Sequence, residues 1–91
     1  MNRKQLSDQV AQATSVTSAQ ADSAVQAVLD AIVSAVAEGE RVQLAGFGTF
    51  ERRSRAARTG RNPQTGQEIQ IAASEVPAFK AAAAFKAAVQ G

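Results

Sequence analysis

Five arginines fall within the ten residues from Arg52 to Arg61, with no acid among them, and the run passes directly into Asn62-Pro63-Gln64-Thr65-Gly66. Guanidinium groups with almost no apolar neighbour cannot build a core; they face something negative, or water. The block therefore divides the chain. Residues on either side of it must supply the packed body, and the block must stand outside that body.

Charge follows the same division. Residues 1–51 carry three bases (Arg3, Lys4, Arg41) against six acids, whereas residues 52–75 carry five arginines against Glu68 and Glu75. Lys80 and Lys86 add two more charges near the end, so a modest net charge of +2 hides an acidic body and a basic extension.

The body is small. Ninety-one residues make one domain with a poor surface-to-volume ratio. With no Cys and no His, disulfides and thiolate or imidazole metal sites are excluded, which leaves oligomerisation as the way to enlarge the core. The N-terminus lacks the apolar run of a signal peptide, and no stretch approaches a membrane span, so a soluble intracellular protein is expected.

Two helix starts are legible. Asn2 with Gln5 forms a capping box, and the first helix is expected to run to about Thr14 with Leu6, Val10 and Ala13 on one face. Thr17 with Gln20 repeats the box. Ala21, Val25, Val28, Leu29, Ile32 and Val36 then keep helical spacing to Gly39, a good stop. The apolar face of this second helix is wide, which suggests burial against more than its own chain.

After Gly39 the period becomes two. Val42 and Leu44 alternate with polar residues, Gly46-Phe47-Gly48 reads as a turn or bulge, and Thr49–Glu51 begins a second strand that continues into the arginine block. Ile69 and Ile71 predict a returning third strand. Pro77 predicts a break, and Phe79–Val89 a short helix anchored by Phe79, Phe85 and Val89. A ribbon with so little apolar surface is marginal alone.

Arginine matches phosphate oxygens bidentately and fits narrow minor grooves, so nucleic acid is the leading partner for the block; an acidic protein or membrane surface stays open. Asn62-Pro63 is at least an ordinary turn, and along a groove its proline ring could wedge between base steps. Gly46–Phe50 is neither a dinucleotide fingerprint nor a phosphate loop, because Glu51 replaces the third glycine and no Lys-Ser/Thr follows. Phe47 and Phe50 read as core. No paired carboxylates sit at a catalytic spacing, so no enzyme, cofactor or small-molecule substrate is expected.

With these residues in view, the chain resembles the HU-type histone-like DNA-binding proteins over essentially its whole length. The resemblance is carried by GFGTF at Gly46–Phe50, AARTGRNPQTG at Ala56–Gly66, EIQIAA at Glu68–Ala73 and VPAFK at Val76–Lys80. It implies an α+β fold: a helical body with a three-stranded antiparallel sheet and a long protruding β-ribbon arm, in an intertwined homodimer. Residues 1–51 and 76–91 would form the dimerisation body and 52–75 the arm.

The resemblance further implies that Arg53, Arg55, Arg58, Arg61, Asn62 and Pro63, and more loosely Gln64 and Thr65, meet the minor groove of double-stranded DNA. Arg3, Lys80 and Lys86 would meet phosphates on the body. The implied role is sequence-tolerant binding and bending in a cytoplasmic, bacterial-type nucleoid. Bent, nicked or gapped duplexes would be preferred, because the deformation is already made. A site-specific architectural role like that of integration host factor, and a protein-interaction module using the basic arm, are the alternatives. Many relatives carry lysine where this chain has Gln67, Gln70, Glu75 and Ala83, and glycine where it has Ala82. Each absent phosphate contact should lower the log–log salt slope of binding by roughly 0.9.

Overall fold

The computed structural model describes residues 1–91, which divide into two units, Met1–Ser34 and Ala35–Gly91. The first unit holds α1 (Arg3–Thr14) and most of α2 (Ser18–Ala37). Both capping boxes form. The Asn2 side chain accepts from the Gln5 backbone N–H at 2.9 Å and the Gln5 side chain accepts from the Asn2 N–H at 3.0 Å. Thr17 and Gln20 exchange the same pair of bonds at 3.1 Å each. Each box satisfies helix donors that would otherwise have no partner.

Within this unit the buried residues are Ser7 and Ala11 of α1 and Ala21 of α2. The expected stripe of Leu6, Val10 and Ala13 is not what α1 buries: Leu6 remains 43% exposed. Small residues at the helix–helix contact let the two axes approach closely, and the left-handed Ser15 at the end of α1 turns the chain back at once. Asp22 of α2 seals the contact, accepting from the Ser7 hydroxyl at 3.1 Å. On α2, Val28, Leu29 and Val33 lie largely uncovered.

The second unit opens with the last residues of α2, and the chain leaves the helix at Gly39, whose φ of +88° takes the left-handed turn that glycine adopts without strain. There follow β1 (Val42–Leu44), β2 (Gly48–Arg55), β3 (Arg58–Arg61), β4 (Glu68–Ile71), β5 (Ser74–Ala81) and α3 (Ala83–Gln90). A three-stranded antiparallel sheet has the order β1-β2-β5, and β3 with β4 forms a separate two-stranded ribbon. β2 and β5 pair from Gly48 opposite Ala81 to Arg55 opposite Ser74. Pairing lapses at Ala56–Ala57 and Ala72–Ala73 and resumes with Arg58 opposite Ile71.

The strand of Ile69 and Ile71 returns along the ribbon, and the third strand of the body sheet is Ser74–Ala81. Two expectations are corrected here, Pro77 as a break and Phe79 as a helix residue. Pro77 does not break the chain: it sits inside β5 opposite Arg52, and Phe79 is a strand residue, so the helix starts only at Ala83. The reason is position. β5 is an edge strand, and its outer side asks for no ladder donor, so a proline is tolerated there.

Phe47, Phe50, Phe79 and Phe85 cluster in this unit, with ring centroids 4.8 Å apart for Phe50–Phe79, 5.2 Å for Phe47–Phe85 and 5.4 Å for Phe47–Phe79. These separations suit tilted aromatic pairs. Even so, Phe47 and Phe79 stay 44% and 42% exposed. Across the chain the only buried apolar residues are Ala11, Ala21 and Val36.

Candidate nucleic-acid interface

Alternation along the strands sorts the arginine block by face. On β2, Arg53 and Arg55 share a face with Glu51, whereas Arg52 lies on the other with Ser54. On the ribbon, Arg58 is directly opposite Ile71, and Arg61 is opposite Glu68. Being three residues apart on one strand, Arg58 and Arg61 present opposite faces. Gly60 stands between them with no side chain, and a Cβ there would lie 3.0 Å from Ile71 Cδ1. Ile69 and Ile71 therefore lean across the ribbon on the Arg58 face, the one apolar seam it has.

Ion pairing sorts the block a second time. Arg53 binds Glu51 at 3.2 Å, and Arg41 reaches the same carboxylate at 3.6 Å. Arg52 binds Glu75 at 3.4 Å. Arg55, Arg58 and Arg61 have no carboxylate within ion-pair distance; Arg61 makes only a long 3.5 Å contact to the Gly66 carbonyl. All three are exposed. The returning strand carries Glu68 and no base, so the positive charge lies on β3 and the outer end of β2.

The tip is a closed turn. The Asn62 N–H donates to the Gln67 carbonyl at 2.8 Å, and the Gly66 N–H donates to the Asn62 carbonyl at 2.7 Å. The Asn62 side chain accepts from the Gln64 N–H at 2.8 Å, and Thr65 Oγ1 accepts from the Gln67 N–H at 3.3 Å. Gly66 supplies a φ of +71°. Inside this frame Pro63, Gln64 and Thr65 are exposed. Proline needs no partner for a missing N–H, so its ring stands at the tip with no polar obligation.

The remaining residues expected to bind phosphate differ in availability. Lys80, opposite Thr49 on β5, and Lys86, on α3, are exposed and free of carboxylates. Lys80 borders a shallow groove lined by Gln43, Leu44, Gly46, Gly48 and Ala82. Arg3 is engaged: its guanidinium donates to both carboxylate oxygens of Asp22, at 3.3 and 3.2 Å. A phosphate would have to compete for it. Sequence reasoning passed over the pairing roles of Arg52, Glu51 and Glu75. Strand alternation signals only that of Glu51, which it sets on the Arg53 face two residues away, whereas Glu75 reaches Arg52 diagonally through the β2–β5 register.

Comparison with known proteins identifies the family. Residues 1–90 match the family model for bacterial DNA-binding proteins. DNA-binding protein HU of Haemophilus influenzae is 57% identical over 90 residues, covering 99% of this chain and all of that protein. HU-alpha of Vibrio proteolyticus is 56% identical over the same length, again covering 99% of this chain and all of that protein. Among solved structures, HU of Anabaena in a cocrystal with DNA superposes with a TM-score of 0.91 at 48% identity, covering 98% of this chain and 97% of that one. With its fold, its arginine ribbon and its full-length relatives in agreement, the chain belongs to the bacterial DNA-binding protein family and is of the HU type.

Proposed function

We propose that this chain binds double-stranded DNA as a homodimer, lays its β3–β4 ribbons in the minor groove, and bends the duplex with little regard to sequence. The observation that carries the reading is the ribbon: three exposed arginines without carboxylate partners lead to a hydrogen-bonded turn that presents Pro63. Arg55, Arg58 and Arg61 supply attraction to phosphates and to the groove. Pro63 supplies an apolar ring able to enter between base steps. The minor groove separates A·T from G·C and little else, so such a grip reads shape more than sequence. In this reading residues 52–75 are the DNA-binding arm, residues 1–51 and 76–91 the dimerisation body, and Lys80 and Lys86 add phosphate contacts. The role is architectural, in a bacterial-type nucleoid, and involves no catalysis.

The dimer is supported by what one chain leaves uncovered. Val28, Leu29, Val33, Phe47, Phe79 and Val89 are all more than two-fifths exposed, and three buried apolar residues cannot hold a domain of this size. Large apolar surface of this kind marks an interface. Light scattering at micromolar concentration should return twice the 9.4 kDa chain mass; a monomeric mass would overturn the dimer.

Titration of intact, nicked and gapped duplexes of equal length across a salt series tests the DNA reading. Tighter binding to the nicked and gapped duplexes is expected, with affinity falling steeply as salt rises. Equal affinity for all three would remove the bending reading. Pro63→Ala should narrow the bend measured by fluorescence transfer while changing affinity less than about threefold, since no charge is lost. A bend as sharp as the parent's would show that intercalation is not its role.

A further inference from the structure

Arg52 is the one member of the arginine block bound to the protein at two ends. Its Nη1–H donates to the Ala37 carbonyl, in the last turn of α2, at 3.1 Å. Its Nε lies 3.4 Å from Glu75 Oε2 on β5. The other Glu75 oxygen accepts from the Ser54 hydroxyl at 2.7 Å. The guanidinium also closes over Gly39, where a Cβ would come within 3.1 Å of Arg52 Nη2. Three parts of the chain, a helix end, β2 and β5, thus meet on one side chain.

The contacts suit their partners. Carbonyls in the last turn of a helix lack intrahelical donors and carry the negative end of its dipole, so a cation there is stabilised. Glu75 lies directly across from Ser54 and diagonally from Arg52, on the same sheet face. This is one pair short of the end of the β2–β5 ladder at Arg55 opposite Ser74. Just beyond, pairing lapses at Ala56–Ala57 and Ala72–Ala73. The opposite face has its own tie, Glu51 holding Arg41 and Arg53. The root of the arm is therefore fastened across β2 and β5 on the Arg52 face, close to its unpaired joint.

We propose that Arg52 is a positioning residue: held by the Ala37 carbonyl and the Glu75 carboxylate, it fixes the direction in which the arm leaves the body sheet, and it makes no phosphate contact. The arginine block is then two devices in one run. Arg52 belongs to a clasp, and Arg55, Arg58 and Arg61 to the grip. Glu75 puts negative charge at the arm root because the clasp needs it. Fixing the direction of the arm before binding leaves less ordering to be done on the DNA.

The purpose of the clasp rests on the DNA-binding reading, so the test has one arm without DNA. Arg52→Gln, Glu75→Gln and the double variant are compared with the parent by amide hydrogen exchange of the free protein. Each single change should speed exchange at Arg53–Arg55 and Ser74–Val76 on the order of threefold, as suits a half-exposed ion pair. Thr49 and Phe50 should keep the parent's rates, which a general loss of stability would not allow. The double variant should exchange no faster than Arg52→Gln alone, because that change already removes the Arg52–Glu75 tie. On a duplex, Arg52→Gln should keep the parent's log–log salt slope and broaden the distribution of bend angles. Parent-like exchange in Arg52→Gln, or multiplied effects in the double variant, would overturn the clasp. A slope lower by about 0.9 for each arm would make Arg52 a phosphate ligand instead. If the parent bound no duplex, the DNA reading would fall while the exchange result still judged the clasp.

Discussion

Replacing Arg55, Arg58 and Arg61 together with alanine should remove most of the DNA affinity, by on the order of a hundred-thousandfold at about 0.1 M salt. That magnitude follows from counterion release. Each neutralised phosphate contributes roughly 0.9 to the log–log salt slope, so six such residues in a dimer would lower the slope by about 5. These three are chosen because no carboxylate competes for them. Arg53 must first leave Glu51, to which it is bound at 3.2 Å, so Arg53→Ala should lose less than any of the three. Fluorescence anisotropy over a salt series reads both quantities. A triple variant that kept the parent's slope would move the grip elsewhere on the molecule. A fold loss is separable from a binding loss, because none of the three side chains is buried or holds an ion pair. The thermal transition of the variant should match the parent's.

How far the sequence disclosed this arrangement can be seen at particular residues. Local rules that depend on a few neighbours were legible: the capping boxes at Asn2–Gln5 and Thr17–Gln20, the stop at Gly39 and the Asn62–Gly66 turn all form as their residue types require. Rules that depend on a partner strand were not. Pro77 is a breaker by propensity, yet it is accommodated because β5 lies at a sheet edge, and edge position is decided by pairing between residues 48–55 and 74–81. The same long-range pairing made Phe79 a strand residue. The position that α1 buries within its own chain was not legible either, because Ser7 is polar by type. Its burial depends on the Asp22 carboxylate fifteen residues away, which accepts its hydroxyl. At the site, the density of arginine was visible in one line of sequence, but its division into bound and free members was not. That division needed the register that sets Ser54 against Glu75.

Gly48→Ala should cost the fold about 3 kcal/mol per chain, the largest loss expected from adding a Cβ to any glycine of this molecule. Gly48 is a buried residue at the start of β2. A Cβ there would meet the Phe79 ring at 2.5 Å and the Lys80 carbonyl at 2.6 Å. The ring cannot simply swing away, since it is packed against Phe50, Phe47 and Phe85. Nor can the carbonyl, which belongs to the β5 backbone paired with β2. Gly48 is thus the position at which the aromatic cluster rests on the sheet, and its missing side chain is filled by Phe79. Gly46, two residues earlier, provides the comparison. It has a φ of +75°, and a Cβ there would meet nothing within 4 Å, so Gly46→Ala should cost only the left-handed backbone strain, about 1 kcal/mol. Thermal unfolding at one fixed protein concentration measures both. For a chain of this length the Gly48 variant should melt more than about 10 °C below the parent, and the Gly46 variant roughly 4–8 °C below it. If the two variants melted together, the contact between Phe79 and the Gly48 backbone would not be what holds the cluster to the sheet.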